Sequence, residues 1–127
     1  MRIFLTGATS LIGAAVAPAL VKAGHHVTAI LRPTGPVPAR LRTQGIDVVT
    51  GDLSDIGVNR SALDGCDALV HCARDTSGRG SGIDRQVIDA CREVFWRAGR
   101  GVFVYASSAW VIGPTRGAVD ESTPINP

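Results

Sequence analysis

Five short runs built mainly from Val, Ile, Leu, Phe and Ala recur along this 127-residue chain, with little polar alternation inside them. They read as strands at Arg2–Thr6, His26–Leu31, Asp47–Thr50, Ala68–Ala73 and Val102–Ser107. A strand with one wet face alternates apolar and polar side chains. A strand covered on both faces does not, and parallel sheets are covered on both. Helical candidates fill the gaps at Ser10–Ala23, Ala39–Gln44, Val58–Leu63 and Gly82–Ala98. In the first, Ile12, Val16, Ala19, Leu20 and Ala23 share one stripe, and Gly24 follows as a C′ residue. Pro18 removes its bond to Ala14, at about 3 kcal/mol unless the helix bends there. The last carries Ile83, Val87, Ile88, Cys91, Val94 and Phe95 on one side. Strand and helix alternate throughout, and crossovers between parallel strands are right-handed. The predicted fold is therefore α/β: one domain over residues 1–127 with a doubly wound parallel sheet.

Composition removes several functions. Apolar residues make up 45% of the chain, which excludes disorder, and a net charge of +2 with scattered arginines gives no basic stripe for nucleic acid. No apolar run reaches membrane-spanning length, and no signal-peptide pattern opens the chain. Cys66, Cys72 and Cys91 cannot all pair, and none lies in a Cys-x-x-Cys spacing, so no metal site is expected. Buried thiols in a reducing cytoplasm are the simplest reading.

The first strand runs into "TGATSLIG" and then a helix. In a dinucleotide-binding turn the first glycine makes the tight corner, the second lets the backbone approach the pyrophosphate, and the third lets the helix pack closely. Gly7 and Gly13 fill the outer roles, and Ser10 stands at the middle one. Serine adds one hydroxymethyl group, is a good N-cap, and can donate to a phosphate oxygen. The stretch is either a cofactor loop or a structural tight turn. Its place between a strand and a helix, at the head of a β-α-β unit, favours the cofactor. The second strand ends Ile30-Leu31-Arg32 with no carboxylate to take a ribose diol. Arg32 there suits the extra phosphate of NADP, although NAD is possible; the alternative is a solvated surface arginine.

Together "TGATSLIG", "GDLSD", "DALVHCA" and "VFVYASSAWVIG" resemble, in order and spacing, the extended short-chain dehydrogenase/reductases of the NAD(P)-dependent epimerase/dehydratase type. The resemblance implies a Rossmann-like fold in which Gly7, Thr9, Ser10, Leu11, Ile12 and Gly13 form the phosphate loop, with Ser10 as the departure. It implies that Asp52 and Leu53 hold the adenine, although Asp52 before Ser54 and Asp55 can equally cap a turn. Cys72 and Ala73 would pass beneath the cofactor at the end of the fourth strand. Ser108 falls on the catalytic serine that bonds the substrate oxygen. His71 reads as a positioned strand-end side chain. Asp84 lies near a helix asparagine of many members, where an acid changes the proton relay.

The same resemblance implies a Tyr-x-x-x-Lys pair that this chain does not show. Tyr105 lies in the fifth strand and Lys22 on the first helix, and the sequence ends at Pro127, shortly after "VDESTPINP". The expectation is the N-terminal cofactor-binding portion of a longer enzyme, cut after its fifth strand and inactive alone. Its small carbonyl or nucleotide-sugar substrate would be met in the full-length protein. A non-catalytic NAD(P)-binding sensor or scaffold is the alternative. A bare edge at the fifth strand predicts self-association.

Overall fold

A computed structural model describes residues 1–56, 61, 63–75 and 80–125. Its strands are β1 (Arg2–Thr6), β2 (His26–Leu31), β3 (Asp47–Thr50), β4 (Ala68–His71) and β5 (Val102–Tyr105). All pair in parallel, in the order β3-β2-β1-β4-β5. Helices α1 (Leu11–Lys22), α2 (Ala39–Thr43) and α3 (Gly80–Ala98) alternate with them, and short 3-10 turns follow β3 and β5. This is the doubly wound parallel sheet that the uninterrupted apolar runs predict.

Those runs are apolar at consecutive positions because both faces are covered. Ile3 and Leu5 of β1 pack with Ala17 of α1, Leu41 of α2 and Val27 and Ala29 of β2. Phe4, between them, points the other way and packs with Ile30, Leu69 and the α3 residues Val87, Ala90 and Cys91. Ile88, expected on the same α3 stripe, is 37% exposed instead. It sits one residue past Val87, and a step of one residue turns a helix side chain by roughly 100°.

Element ends follow local chemistry. Ser10 caps α1, its Oγ accepting from the Gly13 N–H at 3.1 Å, and Ala23 closes it before Gly24 at φ +82°. The helix runs on through Pro18. β4 stops at His71, two residues short of its predicted end, because β1 has already turned at Gly7. The Ala73 N–H is taken by the Thr6 hydroxyl at 3.3 Å instead of a strand carbonyl. β5 loses its neighbour at the same level and ends at Tyr105, not Ser107. α3 begins at Gly80, ahead of the predicted Gly82. Most of the helix expected at Val58–Leu63 lies outside the described residues, as do residues 76–79 of the predicted loop.

β5 is the outlier in burial. Val102, Phe103, Val104 and Tyr105 are all exposed, between 36% and 49%, whereas all four residues of β4 are buried. Among the described residues no helix is long and apolar enough to cross a membrane.

Candidate functional site

From β1 the sheet grows one way through β2 to β3 and the other way through β4 to β5. The crevice above the carboxyl ends of β1 and β4 is therefore a topological switch point, where open α/β sheets bind ligands. A cleft of about 460 Å³ opens there. Its floor is Gly7, Thr9 and Ser10; one flank is Ile30, Leu31 and Arg32 with Gly51, Asp52 and Leu53; the other is Ala73, Arg74 and Asp75 with Ile83 and Asp84.

The floor is built on two glycines. Gly7 has φ +72°, and a Cβ there would lie 2.5 Å from the Ala73 nitrogen and 2.6 Å from the Cys72 carbonyl carbon. A Cβ on Gly13 would lie 2.0 Å from the Gly7 carbonyl oxygen. The chain of β1, the end of β4 and the first turn of α1 meet at backbone-to-backbone distance because neither residue has a side chain. The contact brings the positive end of the α1 dipole to the cleft floor, where an anion is favoured. Leu11 and Ile12 have exposed side chains (93% and 50%), so what they bring to an anion is first-turn backbone N–H.

Ser10 is committed inward. Its hydroxyl donates to the Cys72 carbonyl at 3.2 Å while accepting from Gly13. The proton expected to reach a phosphate oxygen instead ties the loop to the end of β4. On the flank formed by the ends of β2 and β3, Asp52 Oδ1 accepts from the backbone N–H and the hydroxyl of Ser54, both at 2.9 Å. The turn-capping reading of Asp52 therefore holds for that oxygen, and the residue also lines the cleft. Cys72 is buried and its thiol is pushed up by desolvation, as are those of Cys66 and Cys91, the last to about 11. These are packing thiols.

Of the residues singled out from sequence, Gly7, Thr9, Ser10, Arg32, Asp52, Leu53 and Ala73 come together on the cleft wall. Gly13 and Cys72 support it from behind. Ser108 is exposed beyond the end of β5, its carbonyl accepting from the Val111 N–H at 3.1 Å, and it is not among the cleft-lining residues. Sequence reasoning missed Arg74 and Asp75, whose signal was their place directly after the fourth strand. It also missed a polar chain that runs from the buried Thr6 and His71 out to the exposed Tyr105. His71 Nδ1 meets Thr6 Oγ1 at 2.5 Å, His71 Nε2 meets Asp84 Oδ1 at 3.1 Å, and the Tyr105 hydroxyl donates to Asp84 Oδ2 at 2.8 Å. That bond, with desolvation and the Asp84 charge, raises the Tyr105 phenol above its usual range.

The glycine cradle, the helix terminus and the switch-point cleft fit a dinucleotide. The NAD(P)H-binding family matches residues 7–124 of the chain. The chain belongs to this family. It is an NAD(P)-binding domain of the epimerase and reductase superfamily. The domain is 33% identical over 118 residues to 2-alkyl-3-oxoalkanoate reductase of Stenotrophomonas maltophilia, covering 85% of this chain and 33% of that protein. It is 28% identical over 134 residues to a 4-hydroxy-2-methyl-3-oxo-4-farnesyl-3,4-dihydroquinoline-1-oxide ketoreductase of Stigmatella aurantiaca, covering 98% of this chain and 39% of that one. Its fold superposes with a TM-score of 0.79 on UDP-glucose 4-epimerase of Bifidobacterium longum, solved with NAD+ and UDP. That match is at 17% identity and covers 99% of this chain and 43% of the epimerase. The domain thus spans less than half the length of each of these proteins.

Proposed function

We propose that the domain binds NADP in preference to NAD and serves an oxidoreductase, epimerase or dehydratase acting on a small carbonyl compound or nucleotide sugar. The observation that carries this reading is the Gly7–Gly13 cradle at the head of α1, with Arg32 and no carboxylate at the end of β2. A nicotinamide cofactor held there would supply hydride-transfer chemistry. The chain's own residues do the placing. The floor and the α1 terminus hold the pyrophosphate, and Asp52 with Leu53 take the adenine. Arg32 takes the 2′-phosphate, and Ala73 with Cys72 closes the surface beneath the cofactor. Ser108, just past β5, is the hydroxyl proposed to bond the substrate oxygen.

Titrating NADP and NAD at one ionic strength tests the cofactor preference. A guanidinium–phosphate contact at a solvated site is expected to favour NADP by about tenfold. Arg32→Ala should remove that preference and leave NAD affinity unchanged. Equal affinities in the wild type would reject it.

A second reading concerns this chain by itself: it binds the cofactor without catalysing a reaction. The only tyrosine donates its hydroxyl to Asp84, and Lys22 ends α1, roughly 18 Å of helix away from the glycine loop. Neither is placed to make the tyrosine–lysine pair that the family resemblance implies. Incubating this chain with NADPH and a panel of carbonyl substrates should give no absorbance loss; turnover would exclude the non-catalytic reading.

We also propose self-association through β5. An exposed Val-Phe-Val-Tyr edge presents apolar side chains on both faces and a row of strand hydrogen-bonding groups. Sedimentation velocity should show dimers or larger species that weaken when Val104→Lys charges the edge. A single monomeric boundary across the concentration range would reject the idea.

A further inference from the structure

The cleft has a direction. Gly7 and the head of α1 are central, and the arginine at the end of β2 and Asp52 after β3 define the adenosine side. A dinucleotide that crosses the floor with its pyrophosphate at α1 must send its other, redox-active half toward the β4 and β5 side. Asp84 lines that flank.

The Asp84 carboxylate is held in place. Its side chain is 24% exposed, and its two oxygens are bonded to different elements, His71 Nε2 of β4 and the Tyr105 hydroxyl of β5. His71 and Tyr105 are register partners in neighbouring strands, so the sheet fixes both donors. The Thr6 hydroxyl accepts from the Ala73 N–H and keeps both its proton and a second lone pair for His71 Nδ1, so it can meet that nitrogen as donor or as acceptor. With Nδ1 as the acceptor, the single imidazole proton would be on Nε2, donated to Asp84. In that tautomer the wholly buried His71 side chain would orient the carboxylate without cancelling its charge. Tyr105 does the same from the other side. Arg74, an exposed residue on the same flank, supplies an opposing charge, and Asp75 adds a second acid to the wall.

We infer that Asp84, positioned by His71 and Tyr105, is a specificity-determining residue that makes the cleft bind the oxidised dinucleotide more tightly than the reduced one. The oxidised nicotinamide ring carries a positive charge that the reduced ring lacks, and a fixed carboxylate distinguishes the two. The inference rests on the cleft being the dinucleotide site.

Calorimetric titration of NADP+ and NADPH into the wild type, Asp84→Asn and Tyr105→Phe tests it. Asparagine removes the charge, keeps one acceptor oxygen for His71 Nε2 and presents an amide N–H that the Tyr105 hydroxyl can accept by rotating its own proton away. The wild type should favour NADP+, and Asp84→Asn should move the affinity ratio about fivefold toward NADPH, the scale of one partly screened charge contact. Tyr105→Phe, which keeps the charge, should move it less than about twofold. Imidazole 15N shifts of the wild type should report a neutral ring protonated at Nε2, a readout that needs no variant. Binding with an unchanged ratio in Asp84→Asn, or an imidazolium pattern for His71, overturns the inference and leaves the dinucleotide site standing. Failure of either form to bind the wild type overturns the site itself.

Discussion

Gly13→Val abolishes dinucleotide binding while leaving the sheet intact. The first added atom would lie 2.0 Å from the Gly7 carbonyl oxygen and 2.7 Å from its carbon, and both are backbone. No rotamer relieves a clash at Cβ, so α1 must move off the loop. Overpacking of this kind costs about 1–3 kcal/mol, which a domain of this size tolerates, but a displacement of the order of 1 Å is enough to dismantle a phosphate cradle. Gly7→Ala should do the same for two reasons, since its Cβ meets the end of β4 and its φ of +72° disfavours any side chain. Ser10→Gly is the contrasting case. It loses the Oγ bonds to Gly13 and Cys72, but glycine is itself an acceptable N-cap and costs only a few tenths of a kcal/mol there. NADP titration of the three variants, with far-UV circular dichroism as a check on folding, separates the roles. A folded Gly13→Val protein with wild-type affinity would reject the cradle.

How much of this was readable beforehand depended on the range of the interaction. The roles of Gly7 and Gly13 are local: a turn, then a helix start, six residues apart, and the sequence carried both. Strand starts were legible for the same reason, since they are set by where apolar runs begin. The ends of β1, β2 and β3 were legible too, but those of β4 and β5 were not. β4 stops where the Thr6 hydroxyl of another strand takes the Ala73 N–H, and nothing within the run announces that. The inward turn of the Ser10 hydroxyl likewise depends on the Cys72 carbonyl, 62 positions away. The His71–Asp84–Tyr105 chain joins β4, α3 and β5, and only the β4–β5 register brings its ends together. Read singly, each residue had an ordinary explanation: a strand-end histidine, a loose match to a helix asparagine, a strand tyrosine. Chemistry that depends on tertiary register has no signature in spacing.

The core prediction with the largest effect on stability falls on Phe4. Its ring is fully buried on the central strand and packs with Ile30 of β2, Leu69 of β4 and Val87 and Cys91 of α3. Phe4→Ala removes those contacts and leaves a cavity that strand backbones on both sides prevent from collapsing, so the loss should be about 3–5 kcal/mol. Total stabilities of single domains are about 5–15 kcal/mol, so this is a large share. Urea unfolding followed by circular dichroism should show a lower midpoint with an unchanged slope, because the surface exposed on unfolding is nearly the same. The position also links the core to the cleft. Phe4 lies three residues before Gly7, and β1 delivers the glycine loop to the switch point. Weakened packing should therefore lower apparent NADP affinity only through the unfolded fraction, and saturating NADP should restore part of the lost midpoint by mass action. A midpoint within about 1 kcal/mol of wild type would mean that α3 does not close over β1 in solution. That result would also remove the support beneath Asp84, which α3 carries into the cleft.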